Sequence, residues 1–173
     1  MRWITMPAAV ALAAATAFAA AQAQHHGMAE AKPQGSYAPR LGDIMTMLQI
    51  RHAKLWFAAA ANNWELAEHE LDEMKEGFED VEKFYPTVYE VSVAPVIGAL
   101  NEREMAELSE AIAARDRVKF AGAFDKLTAA CNACHQVTKH AFIVIQQPIS
   151  PPFNNQSFAP APQLPSAAGG HPH

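Results

Sequence analysis

Both cysteines of the chain stand in one hexapeptide, C-N-A-C-H-Q, Cys131 to Gln136, and a histidine follows the second directly. On a helix, positions i, i+3 and i+4 leave one face within about one turn, so Cys131, Cys134 and His135 would project together. Four chemistries use such a group. A thioredoxin-like dithiol expects its C-x-x-C at a helix start in a βαβ setting, and no such setting surrounds this one. A disulfide between i and i+3 of one helix closes a very short loop and removes little entropy from the unfolded chain. A zinc site wants four protein ligands, which only the scattered His52, His69 and His140 could complete. In the fourth chemistry the two thiols add to the vinyl groups of a haem while the adjacent imidazole reaches its iron. That is why C-x-x-C-H reads as a c-type haem attachment site, and the spacing favours it here.

The compartment bears on that choice. Residues 1–23 carry Arg2, then an alanine-rich apolar run ending in Ala21-Gln22-Ala23, which reads as a secretory signal cut after Ala23. The run is diluted by alanine and threonine and falls short of the ~20 strongly apolar residues a span needs, so no stable membrane insertion is expected. The address implied is the periplasm, where haem would be attached after export. The remaining chain is long enough for one domain with one core. With 13 Lys+Arg against 18 Asp+Glu the net charge is −5, and losing Arg2 makes it more negative, which argues against nucleic acid as a partner. Half of those acids fall between Trp64 and Tyr85, a pattern that usually marks the solvated face of a helix.

Four helices can be read around the motif. Residues 24–40 contain Gly27, Gly35, Pro33 and Pro39 without apolar period and read as a flexible lead-in. From Leu41 the residues Ile44, Met45, Leu48, Leu55, Trp56 and Ala59 recur at helical steps until Asn62-Asn63. Asn63 can cap a second helix, with Trp64, Ala67, Leu71, Met74, Phe78, Val81 and Tyr85 on its inner face and Pro86 at its end. The segment 87–100 reads as a loop with one helical turn. A short third helix would start at Asn101, with Glu104 completing a capping box, and Met105, Leu108 and Ile112 inside. Asp116 opens the fourth, whose inward positions are Phe120, Phe124, Leu127, Cys131, Cys134 and Thr138, fraying near His140 into an extended β-branched run. From Pro148 to His173 seven of the 12 prolines make a tail that is either disordered or strapped along the domain. The expected fold is all-α: an antiparallel four-helix bundle over residues 41–147 with covalently bound haem.

A C-x-x-C-H on the last helix of such a bundle, behind a secretory signal, resembles the class II cytochromes c, the family of cytochrome c′ and its low-spin relatives. Residues 41 to 140 carry the resemblance, and "CNACH" is its sharp motif. "RHAKLWFA" and "NNWELAEHELDEMKEGFED" are also similar to a bacterial set of uncharacterised cytochrome c family proteins. The long tail and the modest third helix depart from the compact members. The resemblance implies that His135 is the proximal iron ligand and that the first helix faces the other side of one haem c.

The residue on that far side sets the job. A methionine sulfur favours a low-spin electron carrier of raised potential, whereas an apolar residue leaves a five-coordinate iron open to NO or CO. Met45 and His52 share the inner face, and Met47 lies about 200° from Met45. Met45 also matches His135 in level in an antiparallel pair, while His52 sits about 10 Å further along the axis. Met45 is therefore the candidate distal ligand, ahead of His52; a methionine on an inner stripe is otherwise core filler. Arg51 or Lys54 could pair with a haem propionate. Trp56, Phe57, Phe120 and Phe124 read as packing. The expectation is a monohaem one-electron carrier serving periplasmic redox proteins, with a homodimer allowed, and a gas-binding five-coordinate protein as the alternative. No added distal acid-base pair suggests an enzyme.

Overall fold

The structure, a computed structural model, describes residues 37–162, and the expected signal at 1–23, most of the expected lead-in and the terminal histidines lie outside them. The described chain is mostly helical, with little strand. Helix α1 spans Leu41–Ala60 and α2 spans Trp64–Phe84. A hairpin of β1 (Thr87–Val88) and β2 (Val91–Ser92) leads into α3 (Ala94–Leu100). A π-helical turn, Asn101–Met105, joins α3 to α4 (Ala106–Ala113), and α5 spans Arg117–Val137. No helix among the described residues is long and apolar enough to cross a membrane.

Three helix ends follow one rule. After α1, α4 and α5 the residues Asn62, Arg115 and Lys139 take left-handed φ values of 59°, 52° and 61°. Each turn closes with the paired backbone bonds of a Schellman motif: at α1, Asn63 N–H reaches Ala58 O and Asn62 N–H reaches Ala59 O. After α1 and α4 the next helix then starts at once. Asn63 Oδ1 accepts from Leu66 N–H at 3.2 Å and caps α2, while Asp116 accepts from Val118 and Lys119 N–H and caps α5. These caps agree with the sequence reading.

The segment after α2 does not. Tyr89 and Glu90 both have positive φ, 45° and 69°, and make a type I′ turn that pairs Val88 with Val91. Helix then begins at Ala94, where Pro95 suits the first turn. Asn101 is therefore no N-cap: it lies inside a helix already two turns old, with φ −65° and ψ −43°, and the proposed capping box with Glu104 does not form. The last helix also stops at Val137, short of His140.

The core is built where the inner faces meet. Leu55, Ala58, Leu71, Met74, Met105, Leu108, Phe124 and Leu127 are essentially sealed from solvent. Full burial of each large side chain contributes about 1.5–3 kcal/mol. Helices α1 and α2 pack closely because Gly77 lacks a side chain: a Cβ there would stand 2.7 Å from Leu48 Cδ2. At the α1–α5 contact the rings of Trp56 and Phe124 lie 5.0 Å apart, and Phe120 and Phe124 stack at 5.9 Å, so these aromatics pack as expected. Beyond Pro148 the described tail, to residue 162, lies along the domain: Phe158 meets the Phe57 ring at 5.7 Å and Ala159 O accepts from Asn63 Nδ2.

Candidate functional site

A cavity of about 560 Å³ opens between the helices, a size within the ~300–1,000 Å³ range of cofactor sites. Helix α5 contributes Cys131, Cys134 and His135, and α1 contributes Leu41, Met45, Leu48 and His52. Met74, Phe78 and Val81 of α2, with Val93, Val96, Ile97 and Leu100 around α3, complete apolar walls. The sequence-derived triad and the candidate distal methionine thus border one space. Met47 does not: it is 49% exposed and absent from the lining, as its position on the helix wheel implied.

The thiols are free and half-buried. Burial pushes Cys131 up to about 12, the neighbouring Cys134 adds to the shift, and burial raises Cys134 as well. Redox-active C-x-x-C pairs work by the opposite displacement, a depressed pKa that exposes thiolate. Among the described residues no group of three or more His, Cys, Asp or Glu side chains is placed to hold a metal ion. His69 is exposed on α2, whereas His52 and His140 line the same cavity as the cysteines.

His135 is oriented by the chain that follows its helix. Its Nδ1 lies 2.9 Å from Ile143 O; a carbonyl can only accept, so Nδ1 carries the hydrogen and Nε2 keeps its lone pair. The Schellman turn at Lys139 brings this about, with His140 N–H bonded to His135 O at 2.6 Å and Lys139 N–H to Gln136 O. The extended run then alternates: Ile143 and Ile145 border the cavity, Ile143 still 40% exposed, while Phe142 and Val144 are 81% and 72% exposed. Asn132 clamps the run, donating from Nδ2 to Ile145 O at 2.8 Å and accepting from Ile145 N–H at 2.7 Å.

No family model, no curated protein and no solved structure matches this chain. The site therefore has to be read from its own geometry.

His52 is buried on the inner face of α1 with its Nε2 2.9 Å from Thr128 Oγ1. The Thr128 hydroxyl commits its only hydrogen to Phe124 O, so Nε2–H of His52 must be the donor. The ring also lies 4.2 Å from Phe124, and burial lowers its pKa to about 4. Met45 packs against the core and lines the same cavity. Neither Arg51 nor Lys54 lines the cavity. Arg51 pairs with Glu70 at 2.9 Å and Glu73 at 2.7 Å, and Lys54 Nζ stands 2.9 Å from Glu70 Oε1, out of line for a hydrogen bond but close enough for charge pairing. The expected propionate partners are thus committed to α2. Glu70 itself is fully buried, an exception to the solvated reading of the acidic run.

Asn132, Thr128, Ile143 and Ile145 were not legible as site residues. Asn132 stood as a spacer within C-x-x-C, and only the period-two pattern of "FIVI" hinted that one face of that run returns to the core.

Proposed function

We propose that this chain is a periplasmic monohaem c-type cytochrome that carries single electrons, built as an antiparallel four-helix bundle of the class II kind. One observation carries the reading: Cys131, Cys134, His135 and Met45 line a single apolar cavity of cofactor size. The donor set fits the group. Cys131 and Cys134 would each supply one thioether, the S–H adding across a vinyl double bond so that a C–S bond forms and the hydrogen ends on the neighbouring vinyl carbon. No oxidant is consumed.

When bound, haem would supply reversible one-electron exchange between ferric and ferrous iron. The protein's own residues do the rest. Cys131 and Cys134 would hold the macrocycle by thioether bonds, and His135, whose Nδ1–H donates to Ile143 O, would have Nε2 left to bind the iron. Met45 would supply a thioether sulfur as a second iron ligand, which would favour the ferrous state. Leu48, Phe78, Val81, Ile97 and Leu100 keep the surroundings apolar, which limits the reorganisation of water on each electron transfer. His52, engaged with Thr128, would have to give up a buried hydrogen bond to ligate through Nε2.

Absorption spectra of the oxidised and reduced protein, with and without carbon monoxide, test the carrier reading. A low-spin spectrum little changed by carbon monoxide is expected. Rapid carbon monoxide binding by the reduced wild type would favour the five-coordinate, gas-binding protein instead.

A further inference from the structure

We infer that Asn132 is a positioning residue for the iron-ligating histidine: through Ile145 it fixes the strand-like strap whose Ile143 carbonyl accepts the hydrogen bond from His135 Nδ1–H. This rests on the haem reading above and extends it to a control of the iron's potential. The geometry is specific. Asn132 exchanges both of its hydrogen bonds with one residue, Nδ2 to Ile145 O at 2.8 Å and Oδ1 from Ile145 N–H at 2.7 Å. A carboxamide alone, among side chains of this length, is donor and acceptor at once and can replace the peptide of a neighbouring strand. Aspartate would lose the donor, and leucine both.

The clamp lies at the far end of the strap. At the near end, Lys139 holds its left-handed φ of 61° and Ile143 N–H bonds His140 O at 2.8 Å. Between those two anchors only the bond from His135 ties the Ile143 carbonyl to the helix. With Asn132 in place the carbonyl meets a ring already poised, so the bond costs little ordering. Without it the run from Phe142 to Ile145, whose Phe142 and Val144 are exposed, is held on α5 by no side-chain hydrogen bond among the described residues other than the one from His135 itself. A histidine that donates from Nδ1 is a more basic ligand, stabilises ferric iron, and keeps one ring orientation. Loosening the strap therefore shifts the iron toward the ferrous form.

The test uses the haem-loaded full chain as wild type, Asn132→Leu and Ile145→Pro. The second variant removes the N–H that Asn132 Oδ1 accepts and leaves the C-x-x-C-H motif intact, so an effect on haem attachment is separable from one on positioning. Two quantities are read: the midpoint potential, and the solvent exchange of the His135 Nδ1 proton by NMR of the ferrous protein. Both variants should favour the reduced form by about tenfold, ~59 mV for one electron, and should speed Nδ1 proton exchange. Wild-type potential and exchange in both variants would overturn the proposal while leaving the cytochrome reading standing. So would a change confined to Asn132→Leu, which would place the effect in the attachment motif. A wild-type chain that carries no covalent haem overturns both readings.

Discussion

His52 and Thr128 join the buried faces of α1 and α5 through a 2.9 Å hydrogen bond in which the imidazole Nε2–H is the donor. The consequence is a pH dependence of stability. The ring is held neutral, with its pKa lowered by burial from 6.5 to about 4, so the unfolded chain binds a proton at His52 before the folded one does. Stability from this group is fully present above pH 6.5 and lost as pH falls through about 4, by up to about 3 kcal/mol. Urea unfolding of wild type and His52→Leu across that window checks it. The difference between the two proteins should change with pH between about 6.5 and 4 and be flat above.

Glu70 gives a second expectation. It is fully buried and faces Arg51 and Lys54, so Glu70→Leu leaves two half-buried cations without their shared partner. Breaking such a pair costs about 3–5 kcal/mol. Glu73→Gln, at a pair that is one-third exposed on the acid's side, should cost under about 1 kcal/mol. Equal midpoints in urea for the two variants would show that Glu70 belongs with the solvated acids of α2.

Those solvated acids, Glu65, Glu68, Asp72, Glu76 and Glu79, are exposed on one helix. If that face docks a basic redox partner, electron exchange should slow steeply as salt rises, since exposed charges are screened beyond ~8–10 Å at physiological ionic strength. A flat salt dependence assigns the face to solubility alone.

For the sixth position, Met45→Ala should open the reduced iron to carbon monoxide and lower the potential, because a sulfur ligand favours ferrous iron. Met47→Ala, at a side chain outside the cavity, should do neither. A spectrum unchanged by Met45→Ala but altered by His52→Leu would point to a bis-histidine carrier.

What could be read from the chain was what its periodicity encodes. The inner faces of α1, α2 and α5, the caps Asn63 and Asp116, and the shared face of Cys131, Cys134 and His135 all follow from 3.6-residue spacing and short polar side chains at helix starts. What was missed depends on backbone conformations that the residues present do not advertise. A type I′ turn usually carries Asn-Gly, and here Tyr89-Glu90 holds it. A Schellman turn usually carries glycine, and here Lys139 takes that place. Asn101 looks like a cap but continues a helix, because Pro95 had already started one. The strap over His135 depends on two of these unmarked features at once: the Lys139 turn, and a spacer asparagine whose partner is 13 residues away.

The most direct test of the account is the intact mass of the protein purified from cells expressing the full chain, after denaturation and acid extraction, conditions that strip non-covalent haem. The wild-type chain should exceed the mass of its signal-cleaved polypeptide by one haem, with no hydrogens lost from the thiols beyond those transferred to the vinyl carbons. Cys131→Ala together with Cys134→Ala should return it to the polypeptide mass. A wild-type mass equal to the polypeptide alone, or lower by the two hydrogens of a Cys131–Cys134 disulfide, would contradict the assignment of this cavity to covalent haem.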